Sequence, residues 1–176
     1  MAACLRSLAY YQKAKVDQEI DFSIHQLDPS YASDLHANFH KFLASIPELS
    51  DKTEFFLQGD YPLEKIASAL CYPRIIVLGC LVQRKLVGFL WGSASYAGLG
   101  FISWLWVNDS YRSRGIAKKL VETYESYVLG ESGHVVELYC FSNMEAFYTK
   151  LGYKIIGKRE KGYFKLPQSI MEKLLT

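Results

Sequence analysis

The chain has 176 residues and a mass of 20.1 kDa, enough for one domain with a real core and too short for two full ones. Half of it is apolar, 22% is charged, and Gly and Pro number only 12 and 5, which excludes general disorder and collagen-like or linker chains. Net charge is +2, but residues 1–70 carry 6 basic and 10 acidic side chains (net −4) and residues 71–176 carry 14 and 8 (net +6), an asymmetry that points to an anionic ligand for the second half.

In chain order, residues 4–14 read as a short helix. Residues 22–27 alternate apolar and polar with period two and read as a strand. Asp28 and Pro29 then mark a helix start. Leu35, Phe39, Phe42, Leu43 and Ile46 recur at helical spacing, so an amphipathic helix is predicted over 30–46. Residues 47–61 read as a loop or broken helix, and Pro62 opens a second short helix through Leu70. Residues 74–81, 86–96 and 101–107 read as three strands joined by short turns, an antiparallel meander. Residues 114–129 read as a helix with Ile116, Leu120, Val121, Tyr124 and Val128 on one face. A strand at 135–141, a short helix at 144–151 and β-like segments at 153–159 and 162–166 follow. The stretch 169–175, taken alone, has a helical spacing at Ile170, Lys173 and Leu174. A helix between two strands is a crossover, and crossovers join parallel neighbours. The fold class is therefore α/β (α+β), with a mixed, mostly antiparallel central sheet of about seven strands flanked by helices.

Cys4, Cys71, Cys80 and Cys140 form no C-x-x-C pair, so zinc and thioredoxin-like sites are not expected, and a reduced, cytoplasmic chain is. No apolar run reaches the roughly 18 residues needed to span a bilayer, so no membrane segment is expected. His36 and His40 stand one turn apart without a third ligand, so they read as an exposed helix face and no metal is expected. Lys154, Lys158, Arg159, Lys161 and Lys165 read as a solvated hairpin face, so nucleic acid is not an expected partner.

The most informative segment is VNDSYRSRGIAKKL, residues 107–120. A strand ends and a helix begins there, and Arg112, Arg114, Lys118 and Lys119 supply four cations with no acid between Ser110 and Val121. A helix N-terminus carries unpaired N–H groups and about half a positive charge. Gly115 and Ala117 leave that backbone uncovered, so the segment reads as a cradle for phosphate. It is neither G-x-x-x-x-G-K-S nor G-x-G-x-x-G, so P-loop and Rossmann sites are not indicated. A second segment, NMEAFYTKLGY at 143–153, pairs Asn143 as a helix N-cap with Gly152 as its C-cap.

Together the two segments resemble the GNAT superfamily of acyl-coenzyme A-dependent N-acyltransferases. The form V-x-P-x-x-R-x-(Q/R)-G-x-(G/A) appears as Val107, Arg112, Arg114, Gly115 and Ala117, with Asp109 in place of the proline. The form N-x-x-A…Y-x-K-x-G-(F/Y) appears as Asn143, Ala146, Tyr148, Lys150, Gly152 and Tyr153. The resemblance covers roughly residues 74–173, and it implies that 169–175, with its M-x-K-x-L pattern, is a strand that closes the sheet and overrides the helical spacing. It implies one N-acyltransferase domain over 1–176, with an N-terminal extension at 1–21, a first strand and acceptor-side helices at 22–70, and an acyl-CoA core at 74–175.

The resemblance also implies roles. Acetyl-CoA is the co-substrate. The backbone of Leu105, Trp106 and Val107 pairs with its pantetheine arm. The N–H groups of Arg112, Ser113, Arg114, Gly115, Ile116 and Ala117, with Lys118 beside them, hold the pyrophosphate. Asn143 contacts the cofactor, and Tyr148 is the general acid for the departing thiolate. Many members carry a glutamate base on the fourth strand, and FISWLWV has none. Glu137 on the next strand is the candidate base, acting through water, against a plain reading as an exposed strand acid. The expected activity is acetyl transfer to a primary amine by direct attack in a ternary complex. The alternative is a non-catalytic CoA-binding regulatory module. Glu48, Asp51, Glu54, Asp60 and Glu64 stand against Lys52 in the region that borders the acceptor side, which implies a cationic small-molecule amine or a basic peptide. A homodimer is compatible with the sequence.

Overall fold

The computed structural model describes residues 20–47 and 49–176. The helix expected over 4–14 lies outside them, as does Glu48. Seven strands form one sheet: β1 Ser23–Gln26, β2 Ile75–Val82, β3 Lys85–Tyr96, β4 Leu99–Val107, β5 Val135–Cys140, β6 Lys154–Arg159 and β7 Gln168–Leu174, in the order β1-β2-β3-β4-β5-β7-β6. Every pairing is antiparallel except β4 with β5. Those two are joined through helix α4, Ile116–Gly130, the crossover that the sequence required. The other helices are α1 Ala32–Ala44, α2 Thr53–Gly59, α3 Leu63–Leu70 and α5 Glu145–Lys150.

The sheet is covered on both faces. On one face α4 buries Ile116, Leu120, Val121, Tyr124 and Val128, the five residues of its expected stripe, against Ile76, Leu78, Leu90, Ile102, Val136 and Leu138. On the other, α1 sets Leu35, Phe39 and Leu43 against Val77, Phe89 and Trp106. This explains β2, IIVLGCLV, in which every residue after Ile75 is buried: a central strand with both faces covered reads as a continuous apolar run. Asp28 accepts the Ser30 N–H at 2.8 Å and starts a 3₁₀ turn, Pro29–Tyr31, that leads into α1. Phe39 is the hub of the α1 layer. It stacks on Tyr61 and Phe89 at 4.7 and 5.0 Å between ring centres and meets Trp91 and Trp104 edge-on at 5.8 and 5.9 Å.

Two local expectations change. Residues 162–166 are not β-like: Tyr163–Lys165 is a 3₁₀ turn, with Phe164 at φ 60° and Lys165 at φ 63°. The Gln168 carboxamide oxygen accepts the Tyr163 N–H at 3.0 Å and fixes this turn from the following strand. Asn143 does not cap α5. It sits in a 3₁₀ turn, Ser142–Met144, and the N-cap position is Met144 with no side-chain bond. The C-terminal strand stands as expected, over Gln168–Leu174. Its weak helical spacing loses because β7 enters between β5 and β6 and pairs with both.

Phe39→Ala removes the ring on which five aromatic neighbours rest, Phe42 being the fifth at 6.0 Å. A loss of about 3–5 kcal/mol is expected from buried Phe truncation. Urea unfolding, with an unchanged slope, checks it.

Candidate functional site: the opening between β4 and β5

β4 pairs with β3 along its whole length, out to Gly88↔Val107. Its parallel pairing with β5 runs only from Leu99↔Val135 to Ile102↔Leu138. At that point the β3 register jumps: Trp91 faces Trp104 and Gly92 faces Ile102, so Ser103 is an extra residue on β4. A bulge bends its strand and raises the local twist. Packing records the same break. Ile102, Leu105 and Val107 all lie in the α4 layer, although 102 and 105 are three residues apart.

Beyond Ile102, β4 therefore has an open edge on the β5 side, and its polar groups can be assigned. The Asn108 N–H donates to Val87 O, toward β3, at 2.9 Å. The carbonyl of the same peptide, Val107 C=O, points the opposite way, into the opening. Arg112 Nε donates to that oxygen at 3.1 Å. By the two-residue period of a strand, the N–H and C=O of Leu105 and the N–H of Val107 face the opening too. Trp106 points its backbone to β3, and its side chain is buried under α1.

The loop after β4 is built from its own polar groups. Asn108 accepts the Ser110 N–H at 3.1 Å and starts a 3₁₀ turn, Asp109–Tyr111. Asp109 accepts from Arg112 Nη2 at 2.8 Å, so the residue that replaces the motif's proline anchors the guanidinium. The Arg112 N–H is also taken, by Asp109 O at 3.3 Å. The chain then passes through left-handed backbone at Ser113, φ 61°, and Gly115, φ 79°. A non-glycine residue there costs about 1–2 kcal/mol, a strain of the kind found at ligand clamps. α4 begins at Ile116 with no side-chain cap and no acid in its first turn. The N–H groups of that turn, through Ala117 and Lys118, have no intrahelical acceptor. A Cβ on Gly115 would meet nothing within 4 Å, so the approach is open. Lys118 reaches Glu122 at 3.7 Å across the exposed helix surface.

Tyr148 packs in the α4-side core layer, which also contains Cys140 at the end of β5. It is 5% exposed and packs edge-on to Tyr153 at 5.5 Å between ring centres. Burial, reinforced by the neighbouring Cys140 thiol, pushes its ionisation well above the usual phenol range. Cys140 closes β5 beyond the last residue paired with β4. α5 is ended by a left-handed Gly152 whose N–H donates to Thr149 O at 3.0 Å, while the Tyr153 N–H donates to Tyr148 O at 3.1 Å. This paired cap fixes the short helix that carries the tyrosine.

The remaining expected residues divide. Asn143 is exposed, in the turn just past the end of β5. Glu137 lies on the paired part of β5, between Phe101 and Glu172. Its neighbours Val136 and Leu138 point into the α4 layer, so by alternation its carboxylate is on the opposite face from Tyr148. Two features escaped sequence reasoning. One is the Ser103 bulge, hidden because FISWLWV is apolar almost throughout. The other is the bond from Trp104 Nε1 to Tyr61 Oη, 2.9 Å, which ties the α2–α3 connection to β4. Among the described residues no group of three His, Cys, Asp or Glu side chains could hold a metal.

The model of the Acetyltransferase (GNAT) family matches residues 41–153, well over half of the chain. The chain belongs to the GNAT family. This GNAT protein is thus an acyl-CoA N-acyltransferase, with acetyl-CoA as co-substrate. Similar solved structures include the PaiA N-acetyltransferase of Thermoplasma acidophilum in complex with coenzyme A, at TM-score 0.76 and 20% identity, covering 89% of this chain and 100% of that one. An aminoglycoside 6'-N-acetyltransferase complexed with coenzyme A is similar at TM-score 0.67 and 23% identity, covering 86% and 96%. The ribosomal-protein-S18-alanine N-acetyltransferase of Escherichia coli is similar at TM-score 0.70 and 13% identity, covering 89% and 95%. No curated protein sequence matches significantly. The open Leu105–Val107 edge and the uncapped, uncovered start of α4 suit an extended amide arm and a pyrophosphate.

Gly115→Ala adds only backbone strain, since its methyl meets open space, whereas Gly115→Glu adds a repelling charge at the helix start. Calorimetric titration with CoA should find Gly115→Glu weaker than Gly115→Ala by at least about tenfold, which is roughly 1.4 kcal/mol. Equal affinities would remove the helix start from the binding site.

Proposed function

We propose that the protein transfers an acetyl group from acetyl-CoA to a primary amine by direct attack, with both substrates held in one complex. The observation that carries this reading is the burial of Tyr148 beside Cys140, at the stretch of β5 that β4 no longer pairs. A phenol kept protonated at that point is placed to donate to a thiolate leaving along the opening. Acetyl-CoA, when bound, supplies the activated thioester. The backbone at Leu105 and Val107 orients its arm, the N–H groups of 113–118 hold its phosphates, and Asn143 lies at the mouth of the cleft.

The two faces of the sheet divide the work. The amine approaches on the α1–α3 face, where Glu137 takes its proton through water. Tyr148 gives a proton from the α4 face. Direct attack is favoured over an acyl-enzyme because the only cysteine near the opening, among the described residues, is Cys140. Its thiol is pushed up to about 11 by burial, and a thiol so protonated at neutral pH is a poor nucleophile.

The acceptor is a cationic amine or a basic peptide. Asp51, Glu54, Asp60 and Glu64 are exposed around α2 and α3, and Glu54 already holds the His40 ring nitrogen at 3.2 Å. Two solved neighbours are named for amine acceptors, an aminoglycoside and a ribosomal-protein alanine. We assign residues 22–70 to the acceptor side and 74–175 to the acyl-CoA side of one domain. A cytoplasmic location accords with the free Cys71, Cys80 and Cys140. Among the described residues no helix is long and apolar enough to cross a membrane.

Tyr148→Phe should fold, keep its CoA affinity and lose about 10²-fold in kcat. A group whose ionisation is raised stays protonated, so Tyr148 should contribute no fall in wild-type kcat up to about pH 10. Turnover within twofold of wild type would assign the proton to water. A wild-type decline between about pH 8 and 9.5 that vanishes in Tyr148→Phe would contradict the raised ionisation.

A further inference from the structure

The two walls of the proposed acetyl-CoA cleft belong to different elements, the open edge of β4 and the first turn of α4. Tyr124, in the third turn of α4, ties them. It is fully buried, and its Oη lies 2.6 Å from Ser93 O and 3.1 Å from Phe101 O. A phenol has one proton to donate, so two main-chain carbonyls share one donor. Ser93 on β3 and Phe101 on β4 are cross-strand partners immediately before the Ser103 bulge. Their ladder is altered as well: the Phe101 N–H donates to Ser93 Oγ at 3.2 Å.

The hydroxyl reaches the plane of the sheet because two glycines stand above it. A Cβ on Gly92 would lie 2.6 Å from Tyr124 Cε2, and one on Gly100 2.9 Å from its Oη. Either methyl would force the tyrosine out. Gly92, Ser93, Gly100, Phe101 and Tyr124 thus form one joint between helix and sheet. β4 leaves β5 one residue later, after Ile102.

We infer that Tyr124 is a positioning residue for acyl-CoA binding: its hydroxyl pins α4 to the bulged β3–β4 pair and so sets the distance from the N–H groups of the α4 first turn to the open edge at Leu105–Val107. The inference rests on the acetyl-CoA site proposed above. Phenylalanine fills nearly the same volume, so Tyr124→Phe tests the hydroxyl and spares the ring packing. Its loss leaves two buried carbonyls short of a donor.

The test measures CoA affinity by calorimetry and amide hydrogen exchange in the CoA-free protein, on wild type, Tyr124→Phe, Ser93→Ala and a comparator, Ile66→Val. Ile66 is fully buried on α3 in the opposite core layer. Tyr124→Phe should weaken CoA by about tenfold and Ser93→Ala by about threefold, while Ile66→Val stays within about twofold of wild type. Exchange at Trp106 and Asn108, whose backbone faces β3 and whose pairing the joint supports, should quicken in Tyr124→Phe and stay unchanged in Ile66→Val. Tyr124→Phe binding as tightly as Ile66→Val, with unaltered exchange, overturns the inference and leaves the acetyl-CoA site intact. A wild type that fails to bind CoA overturns the site itself. If Tyr124→Phe does not fold, Gly92→Ala decides, since its methyl displaces the Tyr124 ring and leaves both carbonyls in place: unchanged affinity and exchange there overturn the inference.

Discussion

A strand in the middle of a sheet cannot leave its N–H and C=O groups without partners at no cost, yet β4 does so along one edge from Ser103 onward. The rest of the site follows from that broken ladder. Its last carbonyl, on Val107, is answered by Arg112 from the next loop. The groups of Leu105 and Val107 before it are left for an extended ligand to pair as an added strand would.

What flanks the break is arranged around the same opening. The loop after β4 spends its own polar side chains on itself, Asn108 on Ser110 and Asp109 on Arg112. α4 is therefore left without a side-chain cap, and its first-turn N–H groups stay open. The left-handed backbone at Ser113 and Gly115 turns the chain into that helix without covering its end. Across the opening, the paired C-cap at Gly152 holds α5, and with it Tyr148, in a fixed orientation. The uncapped start of α4 and the buried Tyr148 belong to the α4 side of the sheet, while the exposed acids of α2 and α3 lie on helices that cover the other side.

Much of this was legible in the sequence, because period and caps are local signals. The α4 stripe and the strand meander rest on spacings that packing then respected. The misses have physical causes. The Ser103 bulge is invisible in FISWLWV because a run apolar on both faces carries no alternation to break. The pair Gly92 and Gly100 was the available signal, since glycine inside a strand marks a bulge or a close approach. The turn at Tyr163–Lys165 reads as β by composition, but Gln168 fixes it with Phe164 in a conformation that phenylalanine seldom adopts. Asn143 looks like an N-cap, yet a 3₁₀ turn shifts the start of α5 past it. Conversely, 168–174 has a helical spacing that two neighbouring strands override.

The central claim is that acyl-CoA binds along the β4 edge and ends at the start of α4. Titration of isotope-labelled protein with CoA, followed by backbone amide resonances, tests this most directly. The account predicts the largest shifts at Leu105, Val107 and residues 113–118, with the α1–α3 face nearly silent. Large shifts confined elsewhere, with Leu105, Val107 and Gly115 unmoved at saturation, would contradict it.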